Sequence, residues 1–242
     1  MAYLRAALFY LGIYSFLIVI VAFSPLFIFT PFRWRYFYIT RWGVFVIWWL
    51  RVTCRIDFTV EGRENIPEGT AIIMAKHQSA WETIAMQQVF PPQTWVLKRE
   101  LLWLPIFGWG LALMHPVAID RKAGKKALKQ VIQQGTDRLK RGLWLVIFPE
   151  GTRTAPGERT RYAIGGAMLA EKSGFPVVPV CHNAGEFWGK GSFLKHPGTI
   201  RLVIGEAIDP ASMRANVLNQ QVEEWIESTY QRITTLKPAL AE

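Results

Sequence analysis

The chain has 242 residues, a formal net charge of +10 and an apolar content of 51% with 11 Trp, which is high for a purely soluble protein. The positive charge predicts anionic partners, either nucleic acid or anionic lipid. The two cysteines, Cys54 and Cys181, have neither a CxxC nor a Cys/His spacing, and the four histidines show no ligand spacing, so a structural metal site is not expected.

The amino-terminal part of the chain is strongly apolar. No charged residue lies between Arg5 and Arg33, a run longer than the roughly 20 helical residues that cross a bilayer core. It is too long for a secretory signal, so residues 1–55 are predicted to form a membrane-anchoring helical segment. Residues 37–50 are short for a second span, and their Trp and Arg content suits the headgroup region.

The arginines that follow the first apolar run predict the side of the membrane. They indicate that the next domain, residues 56–242, lies on the cytoplasmic face of an inner membrane. The sequence leaves open whether the first segment spans the bilayer or turns at Ser24 and Pro25 and stays in one leaflet.

Short apolar runs alternate with helical patterns through the rest of the chain. Strands are predicted at residues 56–60, 71–75, 95–97, 117–119, 143–148, 177–181 and 200–204, and helices at residues 83–89, 122–141, 165–173 and 213–235. This alternation predicts an α/β fold with a mostly parallel sheet flanked by helices. Ligands of such sheets bind beyond the carboxyl ends of the strands, where most of the polar clusters of this chain are expected.

His77 lies where the predicted strand at residues 71–75 gives way to a helix, and Glu82 follows about one helical turn later. If the segment between them curls, the carboxylate reaches one imidazole nitrogen, fixes the tautomer and stabilises the imidazolium. The other nitrogen is then left to take a proton from a hydroxyl. Taken alone, the two residues favour a hydrogen-bonded surface pair, and only the motifs further along the chain favour chemistry.

Four stretches, in order, resemble the 1-acylglycerol-3-phosphate O-acyltransferase family. Residues 77–82 are similar to its first motif, a His followed by four residues and an acid, although the family acid is usually Asp. Residues 117–121 resemble the second motif, and residues 98–109 are also similar to the family's. Residues 148–153 match the third motif, Phe-Pro-Glu-Gly-Thr-Arg, letter for letter, and residues 177–180 resemble the fourth. The similarity covers roughly the whole chain after Arg55.

The resemblance implies a membrane-bound enzyme that moves a fatty acyl group from acyl-CoA or acyl carrier protein to the sn-2 hydroxyl of 1-acylglycerol-3-phosphate (lysophosphatidate). The product is phosphatidate, and no metal or other cofactor is implied. His77 would be the general base and Glu82 its orienting acid. Direct transfer is expected because the thioester is already activated and the chain has no G-x-S-x-G elbow.

The phosphomonoester of such an acceptor needs cationic partners. Arg153 offers a bidentate fork, Gly151 lets the backbone approach closely, and Thr152 has a hydroxyl to donate. Glu150 is expected to orient Arg153 or a substrate hydroxyl. Lys98 and Arg121 are further candidates for the phosphate, and each is equally typical of a surface charge. Trp103, Phe107 and Trp109 are candidates for an acyl tunnel, and core packing or membrane contact explains them equally well.

Two alternatives stay open. The chain is also compatible with an acyltransferase of the same family that acts on another lysolipid or lipid precursor. A non-enzymatic basic protein that binds an anionic membrane surface would fit the charge, and His77 would then be expendable. No nucleic-acid-binding motif accompanies the charge, so a nucleic-acid partner is not expected, and the oligomeric state is not predicted.

Overall fold

The chain begins with a helical hairpin. The computed structural model describes residues 1–236, and residues 237–242 and the side chain of Arg121 lie outside the described part. Helix α1 spans Ala2–Phe23, a 3-10 turn spans Ser24–Phe27, and helix α2 spans Phe32–Cys54. The second helix is longer than the predicted stretch at residues 37–50, because polar and charged residues at both of its ends continue the helix.

The two helices of the hairpin lie close together at Gly12. A Cβ at this position would come within 2.2 Å of the Trp49 indole nitrogen, and that indole donates a hydrogen bond to the Leu8 carbonyl at 3.1 Å. Residues Ala2–Phe27, with a mean hydropathy of 2.4, form the one helical stretch among residues 1–236 that is long and apolar enough to cross a membrane. The chain nevertheless turns after it and returns along α2.

The hairpin packs along the rest of the protein. Near the start of α1, the Tyr10 hydroxyl donates to the Ser192 carbonyl at 3.3 Å. Near the tip, the Phe32 and His115 rings meet edge to face, with centroids 5.3 Å apart. The hairpin is therefore attached to the domain through α1 at Tyr10 and through the start of α2 at Phe32.

Within residues 1–236, seven strands form one sheet, in the order β1-β7-β6-β2-β5-β3-β4. They are β1 (Ile56–Glu61), β2 (Ile72–Ala75), β3 (Gln93–Lys98), β4 (Val117–Ile119), β5 (Trp144–Ile147), β6 (Val177–His182) and β7 (Gly198–Ile204). Only β6 and β7 pair antiparallel, and all other neighbours pair parallel. The prediction of a mostly parallel sheet is confirmed.

Helices cover both faces of this sheet. The remaining helices are α3 (Trp81–Ala85), α4 (Phe107–Ala112), α5 (Lys125–Lys140), α6 (Gly165–Ser173) and α7 (Ala215–Ile233). Alternate residues of β2 enter two cores, because side chains of a strand point to opposite faces. Ile73 and Ala75 pack with the hairpin and α3, whereas Ile72 and Met74 pack with α5, α6 and α7.

Helix α3 starts two residues earlier than the sequence predicted and continues as a 3-10 turn over Met86–Gln88. Its start is stabilised by Ser79 and Glu82, in the Ser-x-x-Glu spacing of a capping box. The Ser79 hydroxyl accepts from the Trp81 N–H at 3.1 Å, and the Glu82 carboxylate accepts from the Ser79 N–H at 2.9 Å. Glu82 thus belongs to the first turn of α3.

Strands β2, β5, β3 and β4 are mutually parallel neighbours, so their carboxyl ends meet at one edge of the sheet. This edge carries the segments that follow Ala75, Ile147, Lys98 and Ile119. The sequence motifs are thereby brought to one place.

Candidate active site

His77 and Glu82 are in direct contact at this edge. The Nδ1 atom of His77 lies 2.8 Å from Oε1 of Glu82. The same carboxylate accepts hydrogen bonds from the N–H groups of Gln78 at 3.1 Å and Ser79 at 2.9 Å. The contact expected from the sequence is therefore present, and the catalytic roles of the two residues stay predictions.

Glu82 is fully buried. Burial raises the pKa of its carboxyl group, but the neighbouring His182 and His77 and the Ser79 N–H outweigh burial, and the pKa lies below its ordinary value. The carboxylate is therefore ionised at neutral pH and accepts a hydrogen bond from the N–H group at Nδ1 of His77. This places the ring in the tautomer whose Nε2 lone pair is available.

The second ring nitrogen of His77 has no hydrogen-bond partner among residues 1–236. The side chain is 15% exposed, and its Nδ1 is the nitrogen that faces the buried Glu82. The ring stacks on Phe148, with centroids 4.0 Å apart and planes at 14°. The stacked Phe148 ring and the hydrogen bond to Glu82 together restrict rotation of the imidazole.

His182 is a residue of this site that the sequence did not single out. It ends β6 and is fully buried. Its Nε2 donates to the Lys76 carbonyl at 2.8 Å, its Nδ1 accepts from the Ala184 N–H at 3.2 Å, and its Nε2 lies 3.8 Å from the Glu82 carboxylate. Burial lowers its pKa, and both ring nitrogens are used as in the neutral form. The only sequence signal is its position directly after the strand predicted at residues 177–181.

Of the two roles expected for Glu150, the orientation of Arg153 is wrong, because the Glu150 carboxylate makes no hydrogen bond or ion pair with Arg153 within residues 1–236. The Glu150 side chain is fully buried, and its two oxygens accept from the Lys76 ammonium and from the His77 N–H, each at 2.7 Å. The cation that pairs with Glu150 is the buried Lys76. Glu150 therefore supports the backbone of His77 and does not face a substrate.

The loop after β5 leaves the Arg153 guanidinium available. Gly151 has φ of +71°, a left-handed conformation that favours glycine, and Thr152 is exposed. The Arg153 side chain is half-buried and makes no hydrogen bond or ion pair within residues 1–236. The next residue, Thr154, donates its N–H to the His77 carbonyl at 2.8 Å. Arg153 is thus one residue from a direct contact with the His77 backbone.

Lys98 and Arg121 lie at the same edge, further from the pair. The register aligns Lys98 with Ile119 on β4, and β3 is the second strand from β2, a separation of about 10 Å. Lys98 is exposed and has no hydrogen bond to His77 or Glu82 within the described part of the chain. The side chain of Arg121 lies outside the described residues.

An apolar cavity of about 500 Å³ lies between α1, the hairpin tip and α4. Its lining is almost wholly apolar and consists of Ile18, Val21, Ala22, Ser24, Pro25, Ile28, Ile106, Trp109 and Leu113. Of the three aromatic residues considered for an acyl tunnel, only Trp109 contributes to this lining. Trp103 and Phe107 are partly exposed on the surface.

Comparisons with known proteins agree with the geometry. Residues 57–183 match the family model described as Acyltransferase. A 1-acyl-sn-glycerol-3-phosphate acyltransferase of Pseudomonas aeruginosa is 47% identical over 211 residues, which are 86% of this chain and 82% of that protein. The enzyme of the same description from Saccharomyces cerevisiae is 32% identical over 54% of this chain and 44% of its own length.

A solved structure shows the same fold along nearly the whole chain. The crystal structure of the 1-acyl-sn-glycerophosphate (LPA) acyltransferase PlsC from Thermotoga maritima superposes with a TM-score of 0.82 at 25% identity. The superposition covers 98% of both chains. The hairpin is therefore part of what the two proteins share.

Proposed function

This chain belongs to the acyltransferase family, and on that premise we propose that it transfers a fatty acyl group to the sn-2 hydroxyl of 1-acyl-sn-glycerol 3-phosphate. The product is phosphatidate, a precursor of membrane phospholipids. The observation that carries the proposal is the hydrogen bond between His77 and Glu82, which leaves Nε2 without a partner among residues 1–236 on a side chain that is 15% exposed.

His77 acts as the general base. Its Nε2 takes the proton of the acceptor hydroxyl as the oxygen attacks the thioester carbonyl carbon. The carbon–sulfur bond then breaks, and the imidazolium gives this proton to the leaving thiolate. Glu82 stabilises the imidazolium between these steps, and a positioned base of this kind contributes about 10²–10⁴-fold to the rate.

The acyl donor is a thioester of coenzyme A or of acyl carrier protein, and the reaction needs no further cofactor. The apolar cavity beside Trp109, with a volume of about 500 Å³, has room to shelter part of an acyl chain. Arg153 binds the acceptor phosphate, because its guanidinium is unpaired in the described residues and the adjacent Thr154 contacts the His77 backbone.

The protein acts at a membrane through its hairpin. Large apolar side chains at the tip are exposed, with Leu26 at 73% and Phe29 at 97%. Arg33 and Arg35 lie in the first turn of α2, and an arginine at the bilayer centre costs about 2.5–3.5 kcal/mol. This cost keeps the hairpin tip away from the bilayer centre, and Val21 near the end of α1 lies beside Gly110 of α4, so α1 stays in contact with the catalytic domain and the hairpin lies within one leaflet. The excess of arginines after the first apolar run supports a catalytic domain on the cytoplasmic side.

A direct test is turnover by the purified protein. We expect acylation of lysophosphatidate in preference to zwitterionic lysolipids when the protein is incubated with acyl-CoA or acyl carrier protein and a lysolipid panel, read by mass spectrometry. His77→Ala should lower kcat at least about 10²-fold, because the base is removed.

The exposed His196 provides the matched control, since it lies outside the site. His196→Ala should retain normal turnover. Near-normal turnover by His77→Ala would contradict the mechanism. Absence of turnover by the wild-type protein on every lysolipid, with binding to anionic vesicles retained, would instead support a non-enzymatic membrane protein.

A further inference from the structure

A buried lysine stands next to His77 in the chain. The Lys76 side chain is fully buried, and its ammonium donates to Oε1 of Glu150 at 2.7 Å and to Oε1 of Glu227 at 2.8 Å. The ammonium also lies 5.3 Å from the centre of the Tyr230 ring. Burial lowers the pKa of Lys76, but the two carboxylates outweigh burial and raise the pKa above its ordinary value. Lys76 is therefore a charged group held between two acids.

Glu150 connects this lysine to the backbone of His77. One carboxylate oxygen accepts from Lys76 and from the Thr154 hydroxyl at 3.3 Å, and the other accepts from the His77 N–H at 2.7 Å. The Thr154 N–H in turn donates to the His77 carbonyl at 2.8 Å. The peptide groups on both sides of the His77 Cα atom are thus held by the segment after β5, and their orientation sets the direction of the imidazole.

Glu227 connects the lysine to α7. Its side chain is 12% exposed, and the oxygen that accepts from Lys76 also accepts from the Tyr162 hydroxyl at 2.8 Å. Two carboxylates near one another repel unless a cation lies between them. The position of Glu150 therefore depends on Lys76, and the position of Lys76 depends on Glu227.

We propose that Lys76 and Glu227 are positioning residues for the reaction: together with Glu150 they hold the backbone of His77 so that its Nε2 faces the substrate. Helix α7 is by this inference part of the active-site support, although it contributes no group to the chemistry. The inference rests on the proposed role of His77 as the base.

The test uses Glu227→Ala in the full-length protein, because Glu227 is the member of the network nearest the surface. Loss of its carboxylate frees Lys76 to move and loosens the hold of Glu150 on the His77 N–H. We expect kcat to fall about ten- to hundredfold, as for a catalytic group displaced by about 1 Å, while KM for both substrates changes less than about threefold. Glu227→Gln keeps an acceptor oxygen and should recover part of the lost kcat.

A second readout does not depend on turnover. Amide hydrogen exchange of the peptide that contains His77 should become faster in Glu227→Ala, since the His77 N–H loses a well-placed acceptor. The matched control is Glu223→Ala, which removes an acid one turn earlier on α7, where it pairs with the exposed Arg159 at 2.9 Å. This variant should match the wild type in kcat and in exchange at His77.

Unchanged kcat and unchanged exchange at His77 in Glu227→Ala would overturn the inference. So would an equal loss of kcat in Glu223→Ala, because it would indicate a general weakening of α7. Normal turnover by His77→Ala would remove the proposed function instead, and faster exchange in Glu227→Ala would then report only a structural network. The two failures are therefore distinguishable.

Discussion

At the scale of single residues, the extra methylene of Glu82 explains how Glu serves where the family usually has Asp. Glu82 lies in the first turn of α3, and its carboxylate folds back over the preceding loop to reach the His77 ring and two N–H groups at once. The same geometry caps the helix. A shorter side chain at this position would have to draw the helix start closer to His77 to make all three contacts.

Arg153 carries a prediction at the same scale. Arg153→Lys keeps the charge but loses the bidentate fork, so KM for lysophosphatidate should rise while KM for lysophosphatidylcholine changes less. Losing one charge-assisted hydrogen bond costs about 1.5–3 kcal/mol, or roughly ten- to hundredfold in kcat/KM. Measuring kcat/KM on both lipids gives the acceptor preference directly.

The exposed Arg161 in the same segment supplies the control for Arg153. Arg161→Lys should leave the ratio of kcat/KM values for the two lipids unchanged. If Arg153→Lys also leaves this ratio unchanged, Arg153 does not bind the phosphate of the acceptor.

At the scale of elements, the hairpin contacts the helix that carries Glu82. A Cβ on Gly43 of α2 would lie 3.3 Å from the Ile84 side chain and 3.3 Å from the Gln87 amide oxygen. The Gln88 side chain also donates to the Gly43 carbonyl at 3.4 Å. Helix α3 is thus seated directly on α2, so its position relative to His77 depends on this close approach.

We predict that Gly43→Leu lowers both stability and kcat, because a larger side chain pushes α3 away from α2. Forcing extra methylene groups into a packed contact costs about 1–3 kcal/mol. Gly43→Ala should be tolerated, since flexible neighbours give way by a few tenths of an ångström and alanine favours helix over glycine. Thermal unfolding and kcat in detergent report the two effects.

Val52 provides a control on the same helix, where the side chain faces outward and is 54% exposed. Val52→Leu should alter neither quantity. Wild-type stability and turnover in Gly43→Leu would show that α3 does not depend on this contact.

At the scale of the whole molecule, the hairpin has two roles, one in the core and one at the membrane. One side of it completes the core on one face of the sheet, where Phe9, Ile13, Val46 and Leu50 are buried with residues of β2, β5 and β6. The other side exposes large apolar side chains, which is uncommon over so wide a surface in soluble proteins. Deleting the hairpin would therefore uncover the core as well as remove the membrane contact.

Substitutions at the tip separate the two roles. The double variant Leu26→Ser and Phe29→Ser should bind neutral vesicles at least about tenfold more weakly, because each buried apolar side chain contributes about 1.5–3 kcal/mol. Its thermal stability in detergent should stay normal, since both side chains are exposed. Vesicle flotation measures the binding.

Val217 provides the control for the tip variant, because it is also an exposed apolar residue, at 52%, and lies at the start of α7, far along the chain from the tip. Val217→Ser should bind vesicles normally. Normal vesicle binding by the tip variant would contradict the placement of the hairpin tip in lipid.

The sequence alone determined the features that depend on neighbours along the chain. Alternating strands and helices, the apolar run before Arg33 and the contact between His77 and Glu82 all depend on local spacing and composition. His77 and Glu82 are only five residues apart, so the Glu82 carboxylate can fold back from the first turn of α3 over the intervening loop to the imidazole. The resemblance to the acyltransferase family rested on the same short stretches. These predictions needed no knowledge of which strands are neighbours.

Only the tertiary structure decided which distant groups meet. Lys76 contacts acids 74 and 151 residues away, and His182 reaches the Lys76 carbonyl across 106 residues. These contacts exist because β2 lies between β5 and β6, and no local pattern specifies that strand order. For the same reason the sequence predicted that Glu150 orients the nearby Arg153 or a substrate hydroxyl, and not that it pairs with Lys76. Glu150 pairs with Lys76 because both side chains are buried, and a carboxylate removed from water needs a cation that is buried with it.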